Sequence, residues 1–129
     1  MAELIFQTAD WKTEKHVPVI ESPDTVNNGG SVKITVKVGK EIPHPNTAEH
    51  HIKSIEIYYL IPEEKFPVQV ARFEFNAHGE SVRGPDTGMV YSEPEASVSF
   101  KVAKSGMIVA ISYCNIHGVW KSVKDLKVQ

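Results

Sequence analysis

The chain has 129 residues, 41% of them hydrophobic and 23% charged, which fits one ordinary globular domain spanning residues 1–129. Lys and Arg number 14 against 16 Asp and Glu, and the resulting net charge of −2 excludes the broad basic field of a nucleic-acid binder. The single cysteine, Cys114, excludes an intramolecular disulfide framework and fits a reducing compartment. Met1 to Trp11 carries acids and no apolar core of a secretion signal, and no stretch approaches the roughly 18 uninterrupted apolar residues of a membrane span. A cytoplasmic protein with neither membrane nor nucleic-acid partner is expected.

Along the chain, period-two alternation dominates. Asn27-Asn28-Gly29-Gly30 reads as a turn, and after it Val32, Ile34, Val36 and Val38 share one face while Lys33, Thr35 and Lys37 share the other. Ile52 to Ile61, rich in Ile and Tyr and stopped by Pro62, is a second long strand. Val68 to Phe75 alternates again with Ala71, Phe73 and Phe75 on one side, as do Ala96, Val98, Phe100 and Val102. Lys104-Ser105-Gly106 turns the chain into Met107–Tyr113, whose near-continuous apolar run predicts a buried central strand, and Val119 to Val128 closes the sheet. Helical periodicity is limited to a turn or two near the N-terminus. About seven strands with short turns point to an all-β sandwich or small barrel. Two loops are long, Gly39–His51 and Ala77–Pro94.

Six histidines are many for this length, and their placement is informative. His16 precedes a strand, His44, His50 and His51 crowd one loop, and His117 lies three residues beyond Cys114. Cys-x-x-His on a loop lets both side chains turn toward one ion, and a sandwich gathers loops at its ends, so His16, His44, His50 and Cys114 can converge without being neighbours in sequence. Thiolate with imidazole suits zinc, copper or iron and argues against calcium or magnesium. Plainer readings stand beside this one. A lone Cys at a strand end serves as a small hydrophobe, and Glu14-Lys15 is an ordinary solvated pair. His78 is structural or exposed, and Trp11, Tyr113 and Trp120 are core or interface residues. In an extended segment His50 and His51 face opposite sides, so only one of them can be a ligand.

Glu14–Pro18 (EKHVP), His44–His51 (HPNTAEHH) and Ser112–Gly118 (SYCNIHG) together resemble the superoxide reductases of the desulfoferrodoxin family, more narrowly the one-iron neelaredoxin type. The likeness runs from about Asp10 to Trp120 and includes Ala77–Pro85. It implies an immunoglobulin-like, seven-stranded β-sandwich or barrel assembled as a homotetramer. The two-iron relatives carry an extra four-cysteine iron module. With Cys114 alone, this chain is expected to lack it and to draw electrons from outside.

Carried over by motif, one mononuclear iron per chain, cycling between Fe2+ and Fe3+, would have His16, His44, His50 and His117 as equatorial ligands and Cys114 as axial thiolate. An open sixth position would receive superoxide, and His51 would not be a ligand. The implied oxidoreductase activity is one-electron reduction of superoxide to hydrogen peroxide. By the same resemblance Lys15 would steer the anion and hold an ordered water, and Glu14 would occupy the sixth position in the oxidised state. The implied electron donor is rubredoxin-like. Lys12, Lys15, Lys40 and Lys121 are candidates for its docking, although solubilising charge accounts for most of them. A cupredoxin-like copper electron carrier is the alternative, but it wants two His, one Cys and commonly an axial Met, and neither Met89 nor Met107 is placed shortly after His117. A module holding a structural zinc would close at four ligands and leave the Glu-Lys pair unexplained.

Overall fold

The computed structural model describes residues 6–129. The leader reading of Met1–Trp11 therefore lies partly outside the described residues. Eight strands follow in order: β1 (Pro18–Glu21), β2 (Thr25–Val26), β3 (Ser31–Val38), β4 (Ile52–Leu60), β5 (Val68–Glu74), β6 (Glu95–Lys101), β7 (Gly106–Cys114) and β8 (Gly118–Val128). They form two sheets, β1-β3-β6 and β2-β8-β7-β4-β5, packed face to face as an all-β sandwich. Six of them are the strands the sequence pattern calls for, and β1 is the strand expected after His16. The eighth, β2, is only two residues long and pairs in parallel with the end of β8. Among the described residues there is no helix. The N-terminal turn expected from sequence is a single one, in which Thr13 and Glu14 donate to the Asp10 carbonyl.

Alternation becomes burial. On β3, Val32, Ile34, Val36 and Val38 are all buried, and they meet Ile55 and Ile57 of β4 and Ile108 and Ala110 of β7 in one core. β7 is the middle strand of the five, as its apolar run predicts. Its other face is only half-buried at Met107, Val109 and Ile111, so it too alternates. Burying side chains of this size stabilises by about 1.5–3 kcal/mol each, which lets the sandwich form without a staple.

Topology explains the two long loops. Both cross between the sheets, Gly39–His51 from β3 to β4 and Ala77–Pro94 from β5 to β6. Register places them at one end, because Val38 pairs with Pro18, Lys37 with Glu95, Ile52 with Cys114 and Ser54 with Glu74. The start of β1 and the β7–β8 turn lie at the same end. Gly39 opens the first crossover at φ +83°, and a Cβ there would come 2.8 Å from the His44 backbone nitrogen, so only glycine lets the loop fold back this tightly.

Candidate metal centre

Three segments bring the donors to this end. His16 sits just before β1, where Ser112 Oγ of β7 donates to its carbonyl at 3.0 Å. His44 and His50 come from the first crossover. Cys114 and His117 flank the β7–β8 turn, and the His117 amide donates to Cys114 Sγ at 3.4 Å. The donor atoms of His16, His50, Cys114 and His117 all lie within 4.8 Å of one another. His117 Nδ1 is 3.2 Å from both His16 Nε2 and His50 Nε2, and 3.8 Å from the sulfur. One ring nitrogen cannot complete hydrogen bonds to all three, so the convergence is that of ligands around a shared cation rather than of a hydrogen-bonded cluster.

His44 completes a circuit of imidazoles. Ring centroids are 4.8 Å apart for His16–His44, 4.8 Å for His44–His50, 4.9 Å for His50–His117 and 4.7 Å for His117–His16, with a His16–His50 diagonal of 6.3 Å. Rings so spaced surround a point. The His44 donor stands outside the tight four-atom group, yet its Nε2 is buried with no hydrogen-bond partner. Its Nδ1 faces the Pro45 carbonyl at 2.7 Å, and a carbonyl only accepts, so the proton is on Nδ1 and Nε2 presents a lone pair. A buried orphan lone pair costs about 1–3 kcal/mol unless something takes it up. Burial, joined by the charges of His16, His50 and Lys15, pushes the His44 pKa down to about 4 against the opposing Pro45 bond. His50 is lowered by burial and then by its imidazole and lysine neighbours. Both rings are thereby neutral at pH 7, as metal ligands must be.

Glu14 does not join the donors in this structure. Its carboxylate accepts the His16 backbone N–H at 2.9 Å and faces His16 Nδ1 at 2.5 Å. A carboxylate there fixes the His16 proton on Nδ1 and turns Nε2 inward, the arrangement that orients metal-bound histidines. Burial acts to raise the Glu14 pKa, but the hydrogen bonds from His16 and the nearby charges outweigh it, and the group ends below its ordinary value. Lys15 is close enough for its charge to depress Glu14, His44 and His50. Lys37, Lys40, Arg72 and Lys124 are paired with carboxylates, and Lys15 is not among them.

Asn115, Trp120 and His51 complete the surroundings of the site, His51 as the expected non-ligand of its pair. Asn115 accepts the His51 amide through Oδ1 at 2.9 Å and donates to the Glu49 carbonyl at 2.7 Å, joining the cysteine turn to the histidine loop. Trp120 packs on His16. His51 is buried and turned away, donating from Nδ1 to the Thr47 carbonyl. The donor set of soft thiolate and neutral imidazoles fits a transition metal, iron included.

The sequence profile of the family described as Desulfoferrodoxin matches residues 8–123. The chain is 57% identical to a superoxide reductase of Pyrococcus furiosus, over 94% of this chain and 95% of that protein. It is 51% identical to a neelaredoxin of Megalodesulfovibrio gigas, over 97% and 96%. A solved structure of superoxide reductase (neelaredoxin) from Archaeoglobus fulgidus in the reduced form superposes with a TM-score of 0.88 at 56% identity, covering 95% of this chain and 98% of that one.

Proposed function

The chain belongs to the desulfoferrodoxin family, and from that premise we infer that it is a superoxide reductase, an oxidoreductase working at one mononuclear iron. The observation that carries the reading is the convergence of His16, His50, Cys114 and His117 with the orphaned His44 Nε2 beside them. Bound iron supplies the one-electron chemistry, in which superoxide, one electron and two protons become hydrogen peroxide. Copper electron transfer finds no support in the relatives.

The roles of the side chains are our reading of this geometry. His16, His44, His50 and His117 hold the metal through imidazole nitrogens, and Cys114 holds it through sulfur from the buried side. Four neutral imidazoles and one thiolate cancel only one of the two charges of Fe(II), so the site stays attractive to an anion. Lys15 adds a cation beside the rings and steers superoxide inward, which speeds association by about 10–10³ at low salt. Glu14 orients His16 in the conformation described and would be the carboxylate to add to the donors in the oxidised state. The electron comes from a separate, rubredoxin-like acidic protein. Lys12 and Lys40, 5.7 and 5.3 Å from the Trp11 ring, would offer it cations around that ring, Lys40 also pairing with Glu21 at 3.0 Å. Residues 1–129 act as one unit, assembled as a homotetramer in the cytoplasm, a compartment that suits a free buried thiol.

Metal analysis with a visible spectrum tests the reading. About one iron per chain is expected, with a thiolate-to-Fe(III) band that bleaches with ascorbate and returns with superoxide, and with peroxide but no oxygen released. Protein that holds only zinc, and stays inert after iron reconstitution, would remove the enzyme assignment.

A further inference from the structure

The second crossover, Ala77–Pro94, contributes no donor to the metal centre, yet one of its side chains is a buried histidine with both ring nitrogens engaged. His78 is 3% exposed. Its Nδ1 lies 3.0 Å from Asn46 Oδ1 and its Nε2 lies 2.7 Å from the Phe75 carbonyl, both acceptors, so the neutral ring donates to one of them and only an imidazolium to both at once. Its ring lies flat on His51, with centroids 3.5 Å apart and planes inclined by 6°. Asn46 is oriented independently, because its Nδ2 donates to the Ser92 carbonyl at 2.8 Å. None of these atoms reaches the proposed metal ligands.

We propose that His78 is the positioning residue of the His44–His50 arm, gripping it through Asn46 and His51 and thereby setting the placement of two of the metal's imidazoles. This rests on the metal-centre reading above. Asn46 lies two residues beyond His44, and His51 lies one residue beyond His50, so the arm is held close behind each ligand. Between these grips the arm has its own Thr47–His50 turn, one bond from the Ala48 amide to Asp86 Oδ1 at 2.7 Å, and one from Asn115 Nδ2 to the Glu49 carbonyl at 2.7 Å. The far side of His78 is fixed to the five-stranded sheet, since Phe75 follows β5 directly and its amide donates to the Lys53 carbonyl of β4 at 2.8 Å. The His78 imidazole thereby couples the irregular loop to the rigid part of the fold from one side, as Asn115 does from the β7 side. Groups that orient ligands from behind in this way characteristically change metal affinity about 10–100-fold when removed.

The test uses the full chain with Co2+ as the probe metal, read by affinity and by the ligand-field absorption spectrum, alongside thermal denaturation of the metal-free protein. His78→Phe keeps an aromatic ring to stack on His51 and removes the ring's hydrogen bonding toward Phe75 and Asn46. Asn46→Ala cuts the same link from the half-buried side and keeps the test open should His78→Phe fail to fold. Each variant is expected to bind Co2+ about ten-fold more weakly or worse, with a shifted spectrum, and the double variant should be no weaker than the poorer single one. Parental affinity and spectrum in variants that only melt earlier would make His78 a stability residue and overturn the proposal. Failure of the parent chain itself to bind Co2+ or iron would instead overturn the metal-centre reading on which it rests.

Discussion

Trp120 lies flat against His16, with ring centroids 5.0 Å apart and planes inclined by 13°. Its indole N–H donates to the His117 carbonyl at 3.2 Å, so one side chain on β8 backs two of the four imidazoles. His16 has no strand to hold it, and the Trp120 face packs on it in addition to its ring contacts with His44 and His117. Trp120→Ala should lower the stability of the metal-free chain by about 2 kcal/mol, less than for a fully buried tryptophan because this one is half-exposed. It should also weaken metal binding. Trp120→Phe keeps the stack but loses the N–H, and should recover most of the stability while leaving a smaller binding defect. Denaturant unfolding and metal titration of the two variants separate stacking from hydrogen bonding.

The metal-free chain should be acid-sensitive in a defined window. His44 titrates at about 4 when folded against an ordinary value of 6.5, and burial lowers His50 and His78 in the same direction. A histidine whose folded pKa lies below its unfolded value is protonated more readily in the unfolded chain. Its contribution to stability is complete above about pH 6.5 and is lost as pH falls toward about 4. The Glu14 carboxyl, also lowered, adds a loss of the same sign at pH below its ordinary value of 4.5. The unfolding midpoint is therefore expected to be flat near neutrality and to decline through this window, with a shallower decline in His44→Gln. A midpoint that climbs on acidification from pH 6.5 to 4 would contradict the buried neutral state of His44.

Much of this molecule was legible in its sequence because strands repeat every two residues and a sandwich must bury one face of each. Val32, Ile34, Val36 and Val38 announce β3 without help from any other segment. β2 carries no such signal, for two residues have no period and pair only because β8 runs long enough to meet them. At the site, histidines and a cysteine are chemically conspicuous, and His50 joins the converging donors while His51 turns to Thr47 and His78, in a turn rather than the extended run the alternation assumes. Asn46, Asn115 and Trp120 are not conspicuous. Their partners lie 32 to 104 positions away or behind a ring, as in Asn46 with His78 and Trp120 with His16, and only tertiary packing brings them together. His78 reads from sequence as structural or exposed. It is buried, and its ring stacks on His51 of the first crossover.

Lys15 is testable by salt dependence. In its proposed role Lys15 acts by charge and not as a ligand, so Lys15→Ala should leave the visible spectrum of the iron form nearly intact. The second-order rate with superoxide should fall by about ten-fold at low ionic strength, and its salt slope should flatten. Lys15→Arg should restore most of both. Stopped-flow or pulse-radiolysis rates over a range of salt concentrations provide the measurement, and a parental rate with the parental slope in Lys15→Ala would remove the steering role.

Glu14 separates charge from hydrogen bonding. Its carboxylate accepts both the backbone and the ring N–H of His16, so it fixes the ring's tautomer and places one negative charge behind a proposed ligand. Glu14→Gln keeps an acceptor oxygen and removes the charge. Less negative charge beside the metal favours Fe(II) over Fe(III), by on the order of 1 kcal/mol at a protein-like dielectric, so the midpoint potential should rise by roughly 40 mV. Glu14→Ala removes the acceptor as well. His16 can then carry its proton on either nitrogen, and metal affinity should fall below that of the Gln variant. Redox titration followed at the thiolate–iron band, together with metal titration of both variants, distinguishes the two effects. An unchanged potential in Glu14→Gln would mean that the carboxylate does not act on the metal through its charge, and loss of affinity confined to Glu14→Ala would assign its contribution to the hydrogen bonds with His16.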